Sequence, residues 1–119
     1  MSSKNSKLSG ARAEHLAVYF LVKKGYEIVH KNYHSRYGEI DIIARKCDYI
    51  IFAEVKYRKN DLHSTPSMAV NFRKQEKIKK TALQYIEQND ITDKDFRFDI
   101  IEITGTHEFK INHIENAFN

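Results

Sequence analysis

The stretch "YGEIDIIARKCDYIIFAEVKYR", residues 37–58, reads as two apolar strands joined by a tight turn at Cys47 and Asp48. One end of this ribbon carries Glu39, Asp41, Glu54 and Lys56 among isoleucines and valine. With Cys47 and Asp48 at the turn, opposed residue numbers sum to 95, so Asp41 faces Glu54 and Glu39 faces Lys56. Side chains alternate along a strand, which puts these four on one face and Ile40, Ile42, Ala44, Ile51, Ala53 and Val55 on the other. Carboxylates directly opposed across a ladder lie about 4.5–5.5 Å apart at Cβ and repel one another.

A divalent cation relieves that repulsion. A hard ion such as Mg²⁺ is held by one or two carboxylates, with waters and substrate phosphates completing its shell. Asp41 and Glu54 are the candidate ligands, with the backbone carbonyl of Val55 as a third. Lys56 would then stand beside the water to be activated, where a positive charge steers a nucleophile and steadies developing phosphorane charge. The same four residues also read as the polar end of a sheet, with Lys56 bridging two acids and nothing reacting. Spacing alone leaves both readings open.

Around the ribbon the chain alternates helical and extended patterns. "SGARAEHLAVYFLVKKGY" predicts a helix capped by Ser9, ended at Gly25, and facing inward with Leu16, Ala17, Phe20 and Leu21. Glu14 borders that inward face. "YEIVHKNY" predicts a strand before the ribbon. After the loop "RKNDLHSTPS", the run "MAVNFRKQEKIKKTALQYIEQN" predicts a second helix with Ile78, Ala82, Tyr85 and Ile86 inward. "FRFDIIEI" and "EFKINHIENAF" supply two more strands. The order α-β-β-β-α-β-β implies an α/β fold with a mixed five-stranded sheet carrying helices. Residues 1–8 are expected to be a mobile tail ahead of a single domain over 9–119.

Composition narrows the classes. The 119 residues suffice for one domain with a core of its own. A single cysteine excludes an internal disulfide, and no apolar run reaches the ~20 residues of a membrane span or forms a signal peptide, so a cytoplasmic location is expected. Twenty basic against sixteen acidic side chains give a net charge of +4, which favours a polyanionic partner. The six histidines show no HExxH spacing and are not read as ligands.

"GEIDIIA" followed by "IIFAEVKYR" resembles the PD-(D/E)xK nuclease superfamily. More closely, the chain resembles the bacterial YraN family, small proteins of restriction-endonuclease-like fold akin to Holliday-junction resolvases. "GARAEHLAVYFLVKKGYEIVHKNY", "RFDII" and "HIENAF" extend the likeness over nearly the whole chain. The resemblance implies a three-layer fold with the sheet flanked by helices. It implies a Mg²⁺ or Mn²⁺ site built from Asp41 and Glu54, with Lys56 catalytic and Glu14 of the first helix completing the set.

The function expected on this basis is metal-dependent hydrolysis of DNA, including branched or damaged DNA, by a chain that relatives lead one to expect as a homodimer. The alternative is a non-catalytic nucleic-acid-binding accessory protein that keeps the fold. "RKQEKIKK", with five basic side chains and one acid, reads as a solvated helix face or a phosphate-contacting one. Lys74, Gln75, Lys77 and Lys80 on it, and Arg58 and Lys59 past the EVK strand, are the candidate nucleic-acid contacts. Tyr33 and Tyr37 read as half-buried aromatics or as stacking platforms for an unpaired base.

Overall fold

The computed structural model describes residues 10–59 and 70–119. The expected tail 1–8, the Ser9 cap, His63 and most of the loop ahead of the second helix lie outside these. The elements run α1 (Gly10–Lys23), β1 (Glu27–His34), β2 (Glu39–Lys46), β3 (Tyr49–Arg58), α2 (Phe72–Gln88), β4 (Asp95–Thr104) and β5 (Lys110–Phe118). The strands lie in sequence order in one sheet, antiparallel except for the parallel β3–β4 pair. A parallel pair needs a crossover, and α2 supplies it. The expected α/β architecture with a mixed five-stranded sheet is what forms.

Each helix covers one face. α1 packs Ala13, Ala17 and Leu21 on Ile42, Ala44, Ile51, Ala53, Ile101 and Ile103. α2 packs Ile78, Ala82 and Tyr85 on Ile40, Ile43, Phe52 and Ile100. The three inner strands are therefore apolar on two sides, as a sheet buried between helical layers requires.

Gly25 ends α1 as its position suggests. Its φ is +97°, and the N–H groups of Tyr26 and Gly25 reach back to the carbonyls of Leu21 and Val22, the paired bonds of a Schellman ending. α2 begins at Phe72, later than its sequence pattern implies. The side chain of Asn71 accepts the N–H of Lys74 at 2.9 Å, and that cap sets the start.

The ribbon turns at Cys47 and Asp48, and its ladder keeps the expected sum of 95 from Lys46↔Tyr49 to Ile42↔Ala53. Among the described residues the β2–β3 pairing ends there. Along β3 the alternation continues, with Ile50 and Phe52 on the α2 side and Ile51 and Ala53 on the α1 side. Along β2 it breaks. Ile42 and Ala44 face α1, but Ile40 joins Ile43 in the α2 layer, contrary to the expectation that Ile40 shares a face with Ile42. The break falls at Asp41, whose carboxylate rather than a β2 carbonyl takes the N–H of Val55. The neighbouring strand bends here too, since Asn32 of β1 adopts φ 53°.

Candidate active site

Where β2 parts from β3, the polar end of the ribbon opens into two cavities. One, of about 350 Å³, lies on the α2 side and is lined by Asp41, Glu54, Asn71, Arg73, Lys74 and Lys77 among others. The second, of about 450 Å³, lies by the start of α1 and is lined by Glu14, Asn32, Asp41, Val55 and Tyr57 among others. Asp41 belongs to both. It shares one with Glu54 and the other with Glu14.

Glu54 is buried, 6% exposed, at a point where β3 would otherwise carry an apolar residue. Its Oε2 meets the Lys74 ammonium at 2.6 Å and that of Lys56 at 3.5 Å. Lys56 stands two residues on from Glu54, on the same face of the strand, and Lys74 reaches down from the first turn of α2. Burial, and then the charge of Lys74, pull the Lys56 ammonium below its usual range, against the attraction of Glu54. Lys74 moves the other way. Burial opposes its charge, but the hydrogen bond and attraction to Glu54 outweigh it and raise its pKa.

Asp41 accepts the Val55 N–H at 2.8 Å, and among the described residues no ion pair holds it. Burial first, then the charge of Glu54, push its carboxyl up to about 7, with Glu14 adding a smaller push and the Val55 N–H and Lys74 opposing. A carboxylate so placed binds protons near neutral pH unless a cation joins it. Glu14 accepts a hydrogen bond from Asn32 Nδ2 at 2.9 Å, which fixes it at the mouth of the second cavity.

No three His, Cys, Asp or Glu side chains among the described residues converge closely enough to hold a metal ion by themselves. The donor set still suits a hard divalent ion, because one or two carboxylates are the usual protein share of such a site, with waters and substrate phosphates completing the shell. Asp41 and Glu54 would hold it, and Glu14 would act from the other side.

The other site candidates have different partners, although Glu39 lines both cavities. Glu39 does not reach Lys56 as the ribbon geometry suggests; its Oε1 lies 3.4 Å from His34 Nδ1, because β2 has already left the β3 ladder. Arg58 Nε is held by buried Glu102 at 2.6 Å. Gln75 Nε2 donates to the Val70 carbonyl, and Lys59 is exposed past the end of β3. Lys77 lines the α2-side cavity, and Lys80 lies over the Tyr37 ring at 5.7 Å. Tyr33 packs edge-on against Tyr85 and donates to Gln88, an ordinary half-buried aromatic.

One polar cluster escaped the sequence reading. Asp99, fully buried in β4, accepts two bonds from Arg97, one from the Asn116 N–H, and faces His113 Nε2 at 2.7 Å. The only signal was the charge in "RFDII", which is otherwise a buried strand.

The fold and this constellation define a class: a small three-layer α/β protein with a carboxylate–lysine cluster at the open end of its central ribbon. The model of "Uncharacterised protein family UPF0102" matches residues 13–103, and the chain belongs to that family, the one expected from the YraN resemblance. It is 48% identical over 116 residues to a UPF0102 protein of Alkaliphilus oremlandii, covering 95% of this chain and 99% of the relative. It is 47% identical over 105 residues to one of Sulfurihydrogenibium, covering 88% and 89%. A third, of Caldicellulosiruptor bescii, is 48% identical over 118 residues, covering 96% and 99%.

Proposed function

We propose that this protein is a divalent-metal-dependent nuclease that hydrolyses phosphodiester bonds of DNA, acting in the cytoplasm on branched or damaged substrates. One observation carries the reading. Asp41 and Glu54 crowd at the point where the ladder opens, so that Asp41 is driven up to about 7, while two lysines stand in the same place. A fold gains no stability from repelling buried carboxylates, and perturbed groups gathered in a cavity mark functional sites.

Mg²⁺ or Mn²⁺, held by Asp41 and Glu54 with the Val55 carbonyl and Glu14 as further donors, would supply Lewis-acid polarisation of a phosphate and acidify water. The residues of the chain do the remaining work. Lys56, its pKa lowered, donates hydrogen bonds toward the attacking water and the charge that grows on the phosphoryl oxygens. Lys74, paired with Glu54, sets a second positive charge in the cavity, where it would meet a substrate phosphate. Glu14 adds negative charge from the α1 side and orients water in the second cavity. Paired incision of branched DNA needs two such sites, which a homodimer would bring.

The test is cleavage of linear, branched and single-stranded DNA with Mn²⁺ by wild type, Asp41→Ala and Glu54→Ala. Activity that needs both carboxylates is expected; activity indifferent to them overturns the assignment. A second reading, an accessory protein that binds nucleic acid without cutting it, is favoured by one observation. Glu54 already has two ammonium partners, a satisfied cluster that asks for no metal. That reading predicts DNA binding with no cleavage in any variant.

A further inference from the structure

Phe72, the first residue of α2, is 72% exposed, the most exposed of the large apolar side chains described. It lies in a groove of about 670 Å³ with Tyr37, Arg36, Arg73, Lys77 and Lys80. The acid of this groove, Glu76, is ion-paired to Lys79 at 3.2 Å, so four cations dominate. Arg36 lies 5.1 Å from the centroid of the Tyr37 ring and donates to its hydroxyl, and Lys80 sits over the same ring at 5.7 Å. The tyrosine is thus set in place by cations on the strand-turn and the helix. The turn runs close to α2, for a Cβ at Gly38 would stand in ordinary contact, 3.4 Å, with the Lys77 side chain.

Arg73 and Lys77 line both this groove and the Asp41–Glu54 cavity, so the two adjoin. Aromatic faces interleaved with cations suit a strand whose bases are free to stack while its phosphates are neutralised. A duplex offers only phosphates at such a surface, because its base faces are already stacked on one another.

We infer that this groove binds an unpaired DNA strand, with Phe72 and Tyr37 stacking on bases and Arg73, Lys77 and Lys80 taking phosphates, and so leads single-stranded substrate into the carboxylate site. The inference rests on the nuclease reading for its destination but not for the binding itself. Its substrate class is a single strand, or the unpaired arm of a branched molecule.

The test is fluorescence anisotropy in EDTA, where a metal-dependent site is silent. The probes are a labelled oligothymidylate of about 12 nucleotides, within the span of one single-strand site, and a duplex of the same length. Phe72→Ala should weaken single-strand binding about fivefold or more, the low end for one lost base–aromatic stack. Duplex binding should stay within about twofold, since the phosphate contacts are untouched. Tyr37→Ala should behave in the same way.

Arg73→Gln with Lys77→Gln should instead flatten the slope of log K against log salt on the single strand by about 0.7 per true contact. Single-strand affinity unchanged in both aromatic variants, or single-strand and duplex affinity lost equally, overturns the groove. Failure here alongside Asp41-dependent cleavage leaves the nuclease standing without this groove. Stacking-dependent binding without cleavage by any form of the protein would remove the nuclease and keep the groove.

Discussion

The carboxylate of Asp41 accepts the main-chain N–H of Val55 at 2.8 Å, so a side chain closes the contact that a β2 carbonyl would make if the ladder ran on. Three consequences follow from that bond. It parts the strands, it turns Ile40 into the α2 layer, and it anchors Asp41 beside Glu54, next to Val55 in sequence. The strand opening and the acidic pair are one feature.

The pH dependence of stability tests it. Native Asp41 keeps its proton up to about pH 7, whereas its ordinary value is 3.8. An acid whose folded pKa exceeds its unfolded one binds more protons in the native state between the two values. Its contribution to stability therefore falls as pH rises from about 4 to about 7. In EDTA, wild type should lose Tm relative to Asp41→Asn between pH 5 and pH 8, as thermal melts of the pair would read. The asparagine can still accept the Val55 N–H, so the difference isolates the charge. Parallel pH profiles would mean that Asp41 is not perturbed.

Metal binding should show the same proton from the other direction. Calorimetry should find Mn²⁺ bound more tightly at pH 8 than at pH 6, with net proton release below pH 7, because the ion displaces the proton of Asp41. Asp41→Ala and Glu54→Ala should abolish binding, and Lys56→Ala should keep it. Lys74→Ala should tighten it by about fivefold, the weight of the roughly 1 kcal/mol typical of a half-exposed ion pair that the metal no longer has to break. Weaker binding in Lys74→Ala would contradict the role of Lys74 as a resident cation.

Much of the fold is legible from residues 37–58 because apolar alternation and a two-residue turn leave few registers open. The pairing sum of 95 holds wherever main chain meets main chain. It fails at Asp41 because a carboxylate competes with the backbone for a donor, which no alternation rule contains. Glu39 is lost to His34 for the same reason. In the site, Asp41, Glu54 and Lys56 stand out by charge within apolar strands. Lys74 is harder to place, since one lysine among five basic residues on α2 differs from the rest only in its angle on the helix. The sequence does not single out Phe72, since nothing in an aromatic ahead of a basic run sets its exposure. Asp99 is hidden because its partners, Arg97, Asn116 and His113, come from β4 and β5 together.

Asp99 should matter to stability and not to metal. Burial works against its charge, yet the hydrogen bonds from His113, Arg97 and the Asn116 N–H hold its pKa below the usual carboxylate value. Its contribution is therefore fully present above about pH 4 and is lost as pH falls through the folded value. Asp99→Ala should destabilise the protein by about 3–5 kcal/mol in urea unfolding at pH 7, since it removes the buried carboxylate that Arg97 and His113 share. Mn²⁺ affinity of the folded variant should be unchanged. A small loss would mean that Arg97 finds compensation from Glu115, 3.6 Å away.

Lys56 decides whether the cluster reacts. It stands 3.5 Å from the Glu54 carboxylate, with Lys74 already closer at 2.6 Å, so Glu54 does not lose its charge partner when Lys56 is removed. Lys56→Ala should therefore fold, bind Mn²⁺ and bind DNA much as wild type does. If its ammonium steadies charge that develops only in the transition state, cleavage should fall about 10²–10³-fold, the usual effect of losing one preorganised donor. The loss should appear in kcat with KM nearly unchanged, because the ground state does not use the interaction. Lys56→Ala purified in parallel also reports contamination, since a host nuclease would cut equally in both samples. Equal cutting would assign the activity elsewhere, and two inert samples with matched DNA affinity would establish the binding protein instead.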